Sequence, residues 1–105
     1  QAVIERIGQI SNGWFVLCGP NEIEEIRAKI ATEAINAGRS AGEIGEEAGV
    51  AVVGEREHEW KNRVKEWKKI GLSHLCLRTL GGGLKVSQHA KKLEEVMKEL
   101  PETLA

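Results

Sequence analysis

The 105 residues suffice for one modest core and a single domain. Fifteen basic side chains against 16 acidic ones leave a net charge of −1, which argues against a general electrostatic grip on nucleic acid, and no aromatic-studded basic patch offsets it. No apolar run approaches the roughly 20 residues that span a bilayer, and no charged stretch followed by an apolar one marks a secretory signal, so a cytoplasmic protein is expected.

From the start of the chain, Ile4, Ile7 and Ile10 at three-residue spacing predict a short helix, which Asn12-Gly13 is suited to stop with left-handed backbone angles. Trp14 to Cys18 is an unbroken β-prone run closed by Gly19-Pro20. Asn21 with Glu24 three residues on has the form of a capping box, and Ile23, Ile26, Ile30 and Ala34 make an apolar stripe, so a helix is expected over about 22 to 37 with Gly38 as its C-terminal cap. Residues 39 to 49 are polar and dotted with glycine, and read as a loop feeding a second strand, Val50 to Val53. Trp60, Val64 and Trp67 recur at helical spacing and predict a helix from about 56 to 70, ended by Gly71. His74 to Thr79, with Leu75 to Leu77 at its centre, forms the third strand, Gly81-Gly82-Gly83 a loop, and Ser87 the cap of a last helix. That helix carries Ala90, Leu93, Met97 and Leu100 on one face and is expected to end at Pro101.

The order helix, strand, helix, strand, helix, strand, helix is that of consecutive parallel β/α units. Strands of this kind are expected to be buried on both faces. Three of them leave two long edges that neither proline nor dense lysine blunts, so the chain reads as incomplete by itself. A first residue of Gln1 rather than methionine points the same way. Both a doubly wound open sheet and a closed eight-stranded barrel are built from this unit.

Arg6-Ile7-Gly8, followed by Asn12-Gly13-Trp14-Phe15, resembles a segment found late in the bacterial luciferase-like flavin-dependent oxidoreductases, including their deazaflavin-using branch. Asn12 stands where that family has aspartate. Pro20-Asn21-Glu22 opening an acidic helix, Ala37-Gly38-Arg39 at its end, and Gly71-Leu72-Ser73-His74-Leu75 entering the last strand continue the similarity over nearly the whole chain. The resemblance implies an α/β fold corresponding to the last three strands of an eight-stranded β/α barrel, and the open strand edges and polar inner face of such a sheet favour its completion by self-association into a dimer or larger homo-oligomer. It also implies a flavin mononucleotide or deazaflavin cofactor, and a fragment inactive or incomplete alone. The alternative is an autonomous homo-oligomeric structural or interaction protein without catalytic activity.

Alternation in the third strand puts His74, Cys76 and Arg78 on one face and Leu75, Leu77 and Thr79 on the other. Arg78 at the C-terminal end, with Thr79, Gly81 and Gly82 after it, is the best candidate for an anion or cofactor site: a cationic fork suits phosphate or carboxylate, and glycine lets backbone N–H groups approach. The blander alternative pairs Arg78 with a glutamate at an interface and leaves the glycines to turn the chain. Cys18, at the end of the first strand, either lines the cofactor pocket or is a small buried hydrophobe. Cys18 and Cys76 are both expected inside buried strands as free thiols. His74 and Cys76 at i, i+2 do not make a zinc site, His58 and His89 are expected to be solvated, and Trp60 with Trp67 suits a core or a subunit interface. No Ser-His-Asp set, paired carboxylates, Walker loop or GxGxxG is present, so any redox step belongs to a cofactor.

Overall fold

The computed structural model describes residues 1–105. Its elements run α1 (Ala2–Ile10), β1 (Gly13–Val16), α2 (Ile23–Asn36), a 3₁₀ turn (Ala41–Glu43), β2 (Gly45–Ala51), a second 3₁₀ turn (Glu57–Glu59), α3 (Trp60–Ile70), β3 (His74–Arg78) and α4 (Val86–Leu104). The strands form one parallel sheet in the order β1-β2-β3, flanked by helices, as the β/α reading requires. No helix is long and apolar enough to cross a membrane. The residues gather into two compact units: Gln1–Ala48 with Leu72–His74, and Gly49–Gly71 with Leu75–Ala105.

In the first unit, α1 and α2 pack through Ile4, Ile7, Ile26, Ile30 and Ala34, and Trp14 of β1 and Ile44 complete this small core. The helices meet at Gly8, where a Cβ would lie 2.8 Å from the Ile30 carbonyl oxygen and 2.9 Å from the Ala34 nitrogen. The other motif residues prove to be scaffold as well. Arg39 sends its guanidinium back to α1, donating to the carbonyls of Gly8 (2.8 Å) and Ser11 (2.6 Å), which tethers the end of one helix to the end of the other. Gly38, at φ +77°, closes α2: its N–H reaches the Ile35 carbonyl and the N–H of Arg39 reaches that of Ala34, the paired bonds of a Schellman motif. Replacing Arg39 by Ala removes two charge-assisted bonds from a half-buried site and is expected to cost about 1.5 kcal/mol. Chemical denaturation of the variant checks this, and an unchanged midpoint would show that water replaces the guanidinium without loss.

Several boundaries differ from the sequence reading. Ser11, not Asn12-Gly13, ends α1: its backbone is extended (φ −84°), both its N–H and its hydroxyl donate to Ile7, and no left-handed residue is used. Glu22 rather than Asn21 stands at the start of α2, without a side-chain cap, because a turn from Gly19 to Glu22 consumes the preceding residues. The second strand is not Val50–Val53 behind a loop. It begins at Gly45 and pairs with β1 in the register Gly13↔Gly45, Trp14↔Glu46, Phe15↔Glu47 and Val16↔Ala48. Pairing with β1 ends at that last position, so β1 stops at Val16 and leaves Leu17 95% exposed. Nor is β1 buried on both faces, since Val16 is buried while Phe15 remains 73% exposed. Residues of one face meet helices and those of the other do not.

The buried apolar side chains of the second unit are Val50, Val52, Val53, Trp60, Val64, Trp67 and Val96. Trp60 and Trp67 are thus core residues here; the indole N–H of Trp67 is buried without a hydrogen-bond partner. Regular α-helix begins only at Trp60, with the 3₁₀ turn Glu57–Glu59 before it, and ends at Gly71 in the left-handed conformation (φ +87°) as expected. α4 starts at Val86, so Ser87 lies inside it; Gln88 instead supplies the cap, accepting from the Lys85 N–H at 2.7 Å. Pro101 does not end the helix, which continues to Leu104. The ring sits on an exposed position near the end, and the Thr103 hydroxyl donates to the Glu99 carbonyl at 3.0 Å, an added bond in the last turn. The buried face of α4 is centred on Val96 and Thr103, not on Ala90 and Met97, which are exposed.

Candidate functional site

In β3 the expected alternation is present: His74, Cys76 and Arg78 are exposed, and Leu75 and Leu77, followed by Thr79, are half-buried. Cys76 is therefore a free but exposed thiol, not a buried one. Arg78 ends the strand. Its carbonyl accepts the Val52 N–H at 3.0 Å, which ties the strand end to the bend after β2. Its side chain lies flat over Gly49: a Cβ there would sit 3.0 Å from Nε and 3.2 Å from Cζ. Glycine at this point of β2 lets a guanidinium rest against the strand on the face its own alternation leaves open. Arg78 takes part in none of the salt bridges, so its donors remain available.

Thr79 follows on the opposite face, and its hydroxyl is 2.8 Å from Nδ1 of His89, in the first turn of α4. His89 is half-buried rather than solvated. The spacing of His89, Leu93, Val96 and Leu100 (i, i+4, i+7, i+11) is the signal that would have placed it on the packed stripe. Gly81 and Gly83 adopt φ +86° and +78°, with open space where a side chain would be. Gly82 is glycine for a packing reason: its Cβ would fall 2.5 Å from Val53 Cγ2 and 3.0 Å from the Gly54 nitrogen. The second unit thus holds a cationic fork over Gly49 on the open face of β3, a hydroxyl paired with an imidazole on the opposite face, and open backbone at Gly81 and Gly83 after the strand. The fork is the group suited to bind an anion.

Cys18 belongs to the first unit, past the end of β1, and is half-buried. Burial pushes its thiol above the ordinary range, the nearby Glu22 carboxylate adds to this, and a backbone hydrogen bond opposes it. The thiol form is favoured, which suits a packed or wall-lining side chain rather than a nucleophile. His74 in that unit accepts or donates through Nδ1 to the Ser73 hydroxyl at 3.0 Å and lines, with Asn12, Trp14, Phe15 and Glu47, a hollow of about 340 Å³ at the starts of the strands. A wider depression of about 860 Å³ beside α3 and α4 is crossed by Lys92–Glu57 (2.9 Å) and Lys61–Glu99 (3.5 Å) pairs, with His58 on its rim. No group of three or more His, Cys, Asp or Glu is placed to hold a metal ion. Comparison with known proteins gives no matching family model, no matching curated protein and no matching solved structure.

Proposed function

We propose that the chain forms closing β/α units of a luciferase-like oxidoreductase barrel, in which Arg78, Thr79, Gly81 and Gly82 hold the phosphate-bearing arm of flavin mononucleotide or of a deazaflavin coenzyme. The observation that carries this reading is the unpaired guanidinium of Arg78, seated on Gly49 at the C-terminal end of a parallel strand, just before a loop with open backbone at Gly81 and Gly83. The C-terminal strand ends are where β/α barrels build their sites. A planar fork beside open backbone suits phosphate oxygens, as it does a carboxylate. When bound, the flavin supplies the hydride chemistry, and the residues here bind and orient it. Arg78 neutralises the phosphate from the open face, Thr79 offers a hydroxyl from the other side of the strand end, and the glycines let the backbone come close.

The side chains of Phe15 in β1 and of Leu17 just after it, 73% and 95% exposed, favour a second reading, an autonomous homo-oligomer in which another copy covers them. Light scattering on a size-exclusion column, with and without flavin mononucleotide and a deazaflavin coenzyme, separates the two. The first reading expects coenzyme to co-elute and Arg78→Gln to weaken its binding about tenfold or more, the value of a charge-assisted bidentate contact. A stable oligomer that takes up neither coenzyme at saturation supports the second.

A further inference from the structure

We infer that the hollow at the starts of β1 and β2, walled by Phe15, Glu47 and His74, is a binding site for a small protonated primary amine. It lies within the first unit and does not depend on the reading of Arg78.

Alternation puts Gly13 and Phe15 of β1 on the same face of the sheet as Gly45 and Glu47 of β2, and the register sets Gly13 beside Gly45 and Phe15 beside Glu47. The two glycines make a floor. A Cβ on Gly13 would lie 3.2 Å from the Gly45 carbonyl oxygen, and one on Gly45 would lie 3.2 Å from Ser73 Oγ. The hollow over them has about 340 Å³, at the small end of ligand pockets.

The two ionisable side chains that wall it, Glu47 and His74, both offer acceptors. Glu47 is half-buried and takes part in none of the salt bridges. Its neighbour Glu46, by contrast, gives both carboxylate oxygens to Arg27. The state of His74 follows from Ser73. That hydroxyl accepts the Glu46 N–H at 2.7 Å and donates its single proton to the Glu46 carbonyl at 3.0 Å. Toward His74 Nδ1, 3.0 Å away, it can then only accept, so the neutral imidazole carries its proton on Nδ1 and bears a lone pair on Nε2.

An unpaired carboxylate, a bare ring nitrogen and the exposed ring of Phe15 together suit a cation that has N–H donors and a short apolar body. A primary ammonium has donors enough for Glu47 and His74 at once. An anion would meet the Glu47 charge, and a neutral alcohol would leave that charge uncompensated.

The probe is n-butylammonium, with 1-butanol as its uncharged counterpart. Both are titrated into the full chain at about pH 8, where the amine keeps its proton and histidine has lost its own. The expected result is millimolar binding of n-butylammonium that moves the NMR signals of Phe15, Glu47 and His74, about tenfold weaker in Glu47→Gln and about threefold weaker in Phe15→Leu. At the same concentrations 1-butanol should leave these signals in place. In the unmodified protein the shifts of the His74 ring nitrogens should show the proton on Nδ1, a readout that needs no variant to fold. No response to the amine, equal binding of amine and alcohol, binding untouched by Glu47→Gln, or a His74 proton on Nε2 each overturns the inference. So does a hollow filled by a second copy, seen as Phe15 and His74 signals that shift with protein concentration and not with the amine.

Discussion

Replacing Gly8 by Ala is expected to destabilise the protein by about 2 kcal/mol, although alanine is the better helix former by about 1 kcal/mol. The new Cβ would stand 2.5 Å from Glu33 Cβ, 2.8 Å from the Ile30 carbonyl oxygen and 2.9 Å from the Ala34 nitrogen. Two of those three atoms are backbone of α2 and cannot rotate aside. The helices must separate instead, and the apolar contacts of Ile4 and Ile7 with α2 loosen together, as does the Arg39 bond to the Gly8 carbonyl. Gly19→Ala is the control: a Cβ there meets nothing within 4 Å and the residue has no positive φ, so its effect should stay within about 0.5 kcal/mol. Urea denaturation followed by circular dichroism compares the two, and a Gly8→Ala protein as stable as the wild type would show that the helix contact is not close in solution.

The second large effect concerns the ion pair between α2 and β2. Arg27 donates from Nε to Glu46 Oε2 at 2.8 Å and from Nη2 to Oε1 at 2.5 Å, with the two side chains only 24% and 15% exposed. The bond to Glu46, with its charge, raises the Arg27 guanidinium above its ordinary value despite partial burial. Removing one partner strands the other away from water. Glu46→Leu is expected to cost about 2 to 3 kcal/mol, somewhat less than for a fully buried pair because some solvent screens the site, whereas Arg27→Leu with Glu46→Leu should cost under about 1 kcal/mol. The exposed pair Lys29–Glu25 (48% and 78% exposed) is the contrast, worth about 0.5 kcal/mol or less and lost in salt. A double-mutant cycle on Arg27 and Glu46 measures the coupling directly, and a value no larger than that of Lys29–Glu25 would contradict the burial argument.

These two sites show what was and was not legible. Arg27 stands at i+4 from Ile23 and three before Ile30, on the apolar stripe, a position that demands a carboxylate partner; that partner, Glu46, lies in a stretch whose glycines and glutamates read as loop. Gly45-Glu46-Glu47-Ala48-Gly49 has poor strand propensity, and pairing with β1, the Arg27 bond and two hydrogen bonds between Glu46 backbone and the Ser73 hydroxyl hold it extended. The candidate site divides in the same way. Arg78, Thr79 and the glycine run were visible from alternation and composition. His89 and Gly49 were not, because one arrives from the next helix and the other from the neighbouring strand.

Sequence alone determined the elements that local chemistry dictates: the helix-strand alternation, the left-handed glycines that close α2 and α3, and the two-faced β3. Each is decided by residues within a turn or two of one another. Tertiary structure decided the rest. A parallel register turned a polar loop into β2, a helix–helix approach made Gly8 obligatory, and packing set the buried face of α4 on Val96 and Thr103 while the helix ran on past Pro101. In all three the deciding partner is distant along the chain or set by packing rather than by local preference, so its contribution exists only once the chain has folded.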